Sequence, residues 1–337
     1  MKNRGWTASP LSPRERVGVR ALLEAPLLRT AVAVLFAFLP LVFAAGCATA
    51  GAGRGASPID AAVDAASKRC GCRIGVAARH LESGVTFERN AAQEFESASV
   101  IKIAILTEAM AQVRAGKISL SDRWTLTEER KADGSGTLLI LDPGLNPTWS
   151  DLITLMIGPS DNTATNAWIE RLGIEAINAR MTALNFRQIR LFATIPLLAH
   201  AHDDPSPWKG FRLGSVSPRE LADWMGRVAR GELLDSEASG TIFQYLDKDP
   251  TRQRIARRFP SEMLWAGKSG TMRGVRNDSG ILRTKKGRFV LVVLTDGGKA
   301  EATSSADHPS VLAIADVAKA IVDNWSSRLP DVVDKPK

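Results

Sequence analysis

The sequence predicts an α/β fold of the α+β kind: one antiparallel sheet built from both termini and flanked by helices, plus an all-helical region over about 97–265. Two observations carry this. Stretches that alternate every second residue lie at the two ends of the sequence, and stretches with apolar residues every three to four positions lie between them. A third agrees: 45% hydrophobic and 24% charged residues over 337 positions is the composition of a chain with a substantial core.

The elements follow in order. Pro58 to Ser67 reads as a short helix, and Arg73 to Ala78 alternates as a strand. Glu82-Ser83-Gly84 is a turn, and Val85 to Glu88 a second strand. Helical spacing then covers Val100 to Ala115, Trp149 to Ile157, Thr163 to Leu172, Ile174 to Leu184 and Ser217 to Arg230. The last begins with Ser217 as N-cap, Pro218 at the first helical position and Glu220 completing a capping box. Ser279 to Arg283 and Arg288 to Thr295 are strands joined at Lys285-Lys286-Gly287. Ser310 to Ser326 is a closing helix.

The net charge is +8, and six basic against two acidic residues place +4 of it within residues 1–46. The remaining +4 is too mild for a nucleic-acid footprint, and no basic stripe interleaves with aromatics. Behind the basic flank, Thr30 to Gly46 is uncharged and apolar, so residues 1–46 read as a lipoprotein-type signal peptide. Ala44-Ala45-Gly46-Cys47 resembles a bacterial lipobox, which makes Cys47 the candidate lipidated residue and 47–58 a flexible linker. An uncleaved anchor is the alternative, since seventeen residues sits at the lower edge of a spanning helix. Either way residues 59–330, the expected folded domain, are expected outside the cytoplasm, at the periplasmic or cell surface. The expected membrane contact is through the lipid anchor. Cys70 and Cys72 are the other cysteines. One intervening residue strains a mutual disulfide, so they read as two small buried side chains at a strand start.

Three short motifs carry the chemistry. Ser99-Val100-Ile101-Lys102 opens an apolar helix, and Ser and Lys three apart share a face. A serine hydroxyl attacks only when something takes its proton, and a lysine of lowered pKa can do so. Ser160-Asp161-Asn162 sits between two predicted helices, and Lys268-Ser269-Gly270-Thr271 on a candidate strand. Each motif alone is common. In this order and context, S-x-x-K, S-D-N and K-S/T-G are the combination found in serine β-lactamases and penicillin-binding proteins. The flanking text SASVIKIAIL, MIGPSDNTATN and GVRNDSGIL also resembles the class A β-lactamases, and the resemblance spans roughly Ile59 to Trp325.

That resemblance implies a serine β-lactamase/transpeptidase-like fold and specific roles. Ser99 is the acylated nucleophile, Lys102 its proton partner, and Ser160 the proton donor to the leaving nitrogen. Asn162 holds the substrate side-chain amide. Lys268, Ser269 and Arg276 bind the substrate carboxylate, and the Ser99 and Thr271 amides form the oxyanion hole. Asp161 and Asp278 are structural. No cofactor or metal is implied, and the default oligomeric state is a monomer. The substrate is a small molecule, a β-lactam or a peptidoglycan-like peptide.

The family's deacylating Glu lies about 35 residues beyond the SDN serine, in a loop of the form E-x-x-L-N. Here that stretch reads Ile195-Pro196-Leu197-Leu198-Ala199, so the Glu position falls on Ile195 and the Asn position on Ala199. An isoleucine cannot deprotonate water. Three readings stay open: a β-lactam hydrolase using another base, Asp203 or Asp204 being nearest; a D,D-peptidase or esterase; and a non-turnover β-lactam-binding protein. His200-Ala201-His202-Asp203-Asp204 is an H-x-H-x-D string that can bind zinc, but no second histidine cluster completes it, and it reads as a polar loop. Glu108 and Glu175 read as surface or capping charges. Trp208 and Trp265 read as core or cleft-lining residues.

Overall fold

The computed structural model describes residues 57–197, 211–248, 252–298 and 305–332. The signal segment, Cys47, Ala199, His200, His202, Asp203, Asp204 and Trp208 lie outside these residues. Helix α1 (Pro58–Cys70) starts on a Ser57 cap and leads into strand β1 (Arg73–His80). Strand β2 (Thr86–Arg89) returns beside it. From the far end of the sequence come β6 (Trp265–Met272), β7 (Val275–Thr284) and β8 (Gly287–Asp296), followed by α8 (Pro309–Ser326). Together they make one antiparallel sheet of order β2-β1-β8-β7-β6, in which β1 pairs β8 from Arg73↔Asp296 to His80↔Phe289.

The run Phe289 to Leu294 explains why both faces of that sheet are covered. Phe289, Leu291 and Val293 point into one core with α1 and α8. Val290, Val292 and Leu294 point into the other, with the helical region. That region holds α2 (Lys102–Arg114), α3 (Trp149–Ile157), α4 (Asn162–Leu172), α5 (Ile174–Ala183), α6 (Pro218–Arg230) and α7 (Ser236–Leu246).

Five details depart from the sequence expectations. Helix α7 is additional, capped by the Asp235 side chain on Ala238 N at 2.8 Å. The helical region is not wholly helical: β3 (Phe95–Glu96), β4 (Arg190–Leu191) and β5 (Gly214–Val216) form a small sheet. The capping box of α6 is only half made. Ser217 caps Glu220 N, but the Glu220 carboxylate accepts from the amides of Arg187, Gln188 and Ile189 instead. Glu108 is buried, not a surface charge, because Arg180 Nε donates to it at 2.8 Å. Cys70 and Cys72 are joined in a disulfide with Cα atoms 5.2 Å apart. Gly71 between them takes φ +59°, which turns the chain at the end of α1 and brings Cys72 back to Cys70.

Candidate active site

The site forms where the helical region meets the edge strand β6. Ser99 lies in a 3-10 turn (Ala98–Ile101) that runs directly into α2, and it stays half-buried among fully buried neighbours. Ala98 before it has φ +43°, an unusual conformation for a residue with a Cβ. Two contacts hold this turn in place. Asn277 of β7 donates to the carbonyls of Glu96 (2.8 Å) and Ser97 (3.2 Å). Gly270 of β6 packs so closely that a Cβ there would sit 3.1 Å from Ser99 N. A side chain at this glycine of the K-S-G motif would make the Ser99 turn or β6 give by a few tenths of an ångström.

Lys102, one turn beyond Ser99, is fully buried. Its Nζ donates to Ser160 O at 2.7 Å, Ser160 Oγ at 3.1 Å and Asn162 Oδ1 at 2.9 Å. Burial pushes its pKa well below the ordinary lysine value, the Lys268 charge pushes the same way, and the Asp161 charge opposes both. The structure thus supplies a lysine suited to take a proton.

Ser160 also has a left-handed backbone, φ +62°. Asp161 is structural, as expected: its carboxylate caps α4 through Ala164 N (2.8 Å) and holds Leu138 N (2.7 Å). Asn162 is fixed from the other side by the turn at Asp133-Gly134-Ser135, donating Nδ2 to Asp133 O at 2.6 Å. Asp278 is structural too, accepting from Ile255 N at 3.0 Å.

On β6, Lys268 is fully buried, Ser269 nearly so, and Thr271 exposed. Arg276 pairs across from Thr271, and its side chain is buried, donating to the carbonyls of Met272 (2.7 Å) and Val275 (2.8 Å) within its own hairpin. A second cation, Arg254, donates to the carbonyls of Gly270 and Asn277 and to Thr271 Oγ1. Sequence reasoning missed it, because it lies in no motif and reaches β6 only through the fold. Trp265 belongs to the core shared with α1 and α8.

Ile195 is buried, and its backbone is clamped by Asn166 of α4: Asn166 Nδ2 donates to Ile195 O (2.8 Å) and Oδ1 accepts from Ile195 N (2.9 Å). Asp133 N donates to Pro196 O at 2.9 Å, joining this loop to the SDN side. Among the described residues no group of three or more His, Cys, Asp or Glu is arranged to hold a metal ion.

Residues 58–325 match the model of the β-lactamase enzyme family. The chain belongs to that family. It is 27% identical over 288 residues to a β-lactamase of Streptomyces lavendulae, covering 80% of this chain and 92% of that protein. A solved β-lactamase structure from Sphaerobacter thermophilus is 30% identical, has a TM-score of 0.70 and covers 81% of this chain and 98% of that one. The structure of PBP-A shares the fold at 23% identity and a TM-score of 0.69, covering 80% of this chain and 96% of that one. The family and the fold agree with the resemblance carried by the three motifs.

Proposed function

We propose that this family member is an exported serine hydrolase that opens β-lactams or related amides by forming an acyl-enzyme on Ser99. The observation that carries the reading is Lys102: buried, of lowered pKa, one helical turn from Ser99, and bonded to Ser160 and Asn162. In the step, neutral Lys102 takes the Ser99 proton as Ser99 Oγ bonds to the amide carbon. The carbon–nitrogen bond then breaks, and the nitrogen receives a proton from Ser160, which is re-protonated by Lys102. The amides of Ser99 and Thr271 hold the oxyanion. Lys268, Ser269 and Arg254 face the substrate carboxylate. Arg276, across from Thr271 on β7, is the further cation the resemblance assigns to that carboxylate; both guanidinium groups are also held by main-chain carbonyls.

Ile195 supplies no base, so the adduct hydrolyses slowly. The same feature favours a second reading, a D,D-peptidase or esterase whose acyl group differs from that of a penicillin. PBP-A supports the pairing of this fold with penicillin chemistry: one of its variants is known as an acyl-enzyme complex with penicillin G. We further propose export through residues 1–46 and a lipid anchor on Cys47, read out as loss of fatty-acid incorporation in Cys47→Ala with penicillin labelling of Ser99 unchanged.

The deciding experiment incubates the full chain with benzylpenicillin and follows intact mass over time. The expected result is an adduct that persists and is absent from Ser99→Ala. Labelling that survives Ser99→Ala sinks the assignment. Turnover of D-Ala-D-Ala peptides without turnover of penicillin selects the second reading.

A further inference from the structure

Lys102 Nζ has three protons when charged, and they go to Ser160 O, Ser160 Oγ and Asn162 Oδ1. Ser135 reaches two of the same acceptors. Its Oγ donates to Ser160 O at 2.8 Å and lies 3.5 Å from Asn162 Oδ1. The placement of Ser135 is fixed independently, because Asn162 N donates to its carbonyl at 2.8 Å. The neutral amine that accepts the Ser99 proton has only two N–H groups and a lone pair. One of the three acceptors therefore loses its lysine donor in the reactive state, and Ser160, in its left-handed conformation, depends on such contacts to stay placed.

We infer that Ser135 is a positioning residue: its hydroxyl holds the Ser160 carbonyl and the Asn162 amide oxygen when Lys102 gives up a donor, so that both residues stay in register through acylation. The inference rests on the reading of Ser99 as nucleophile and Lys102 as base. It also carries a sign. A donor that competes with the ammonium for shared acceptors favours the neutral lysine. Removing it leaves those acceptors to the ammonium and favours the charged form. The charges facing Lys102 are Lys268 from β6, which repels the ammonium, and Asp161 from the SDN segment, which attracts it. Neither is touched by a change at Ser135.

The test compares the full chain with Ser135→Ala and Ser135→Thr in two measurements. One is the titration midpoint of Lys102, followed by NMR of 13Cε-labelled lysine and assigned with Lys102→Gln. The other is the rate of benzylpenicillin acylation against pH. Ser135→Ala is expected to raise the Lys102 midpoint, move the acylation profile to higher pH, and slow acylation at neutral pH roughly fivefold, the effect of one hydrogen bond. Ser135→Thr keeps the hydroxyl and is expected to restore all three. An unchanged midpoint in Ser135→Ala overturns the inference, even if acylation slows, because a merely structural role would act that way. Failure of Ser135→Thr to rescue overturns it too. Ser135 is exposed, so folding is not at stake. If the parent protein is not acylated, the functional reading fails, and the Lys102 midpoint alone still decides the part played by Ser135.

Discussion

The two walls of the site are built to opposite rules. On one, Ser160 and Asn162 make short polar contacts to the buried Lys102, one helical turn from Ser99, and the Lys268 charge acts on the same amine. On the other, Ile195 stands where the resemblance expects a carboxylate, and its backbone is clamped by both ends of the Asn166 amide. The loop keeps its place through main-chain bonds that are indifferent to the side chain. The scaffold can therefore hold the geometry of a hydrolytic wall without its chemistry, and acyl-enzyme formation and its hydrolysis become separable properties.

The sharpest way to break this contrast is to remove the base from the polar wall. Lys102→Ala should cut benzylpenicillin acylation by about a thousandfold, within the range of general-base catalysis, measured by quenched-flow mass spectrometry. Loss of less than tenfold would mean another group takes the Ser99 proton. Next, the Ile195 wall can be given a base. In Ile195→Glu the Asn166 clamp on the backbone persists, so adduct lifetime should fall by about a hundredfold. An equally persistent adduct would show that the wall lacks more than a carboxylate. A third change tests the charge balance at Lys102. Its neutral form is the active one and its pKa is lowered, so acylation should rise with pH through that lowered midpoint and then level off. Lys268→Gln removes a repelling charge, stabilises the ammonium, and should shift the rise to higher pH; no shift, or one to lower pH, would deny the coupling.

Smaller effects concern stability. Asn166→Ala leaves the Ile195 amide and carbonyl without their partners and should cost about 2 kcal/mol in urea unfolding. Reduction of the Cys70–Cys72 bond opens only a very short loop, so it should cost at most about 1.5 kcal/mol and leave acylation unchanged.

What the sequence made legible was what depends on local pattern. The helical period bounds Trp149–Ile157 correctly, and the S-x-x-K and S-D-N motifs name Lys102, Ser160 and Asn162, which the fold brings into contact. What stayed hidden depends on contacts distant in sequence. Arg254 meets Thr271 only because a short turn crosses the end of β6. Glu220 abandons its capping box for the amides of residues 187–189, thirty-odd positions upstream. Helix α7, with Gly240 within it and few strong helix formers, is held by its cap and its packing more than by its own propensity. The two-residue strands β3 and β4 are too short to alternate. The Cys70–Cys72 bond is not legible from sequence separation, because it depends on the left-handed turn at Gly71.

The pairing of β1 with β8 joins Arg73 to Asp296 across more than two hundred intervening positions. A growing chain thus carries its first sheet strand long before the partner arrives. Until β8 appears, the Ser99 turn lacks the strand Gly270 packs from and the Asn277 bonds that anchor it, since β7 is itself held by β8. Closing so long a loop is slow compared with forming local helices. The helical middle is therefore expected to gather first and the Ser99 turn to be set last, so the site is completed only on a chain whose final strand is already in place.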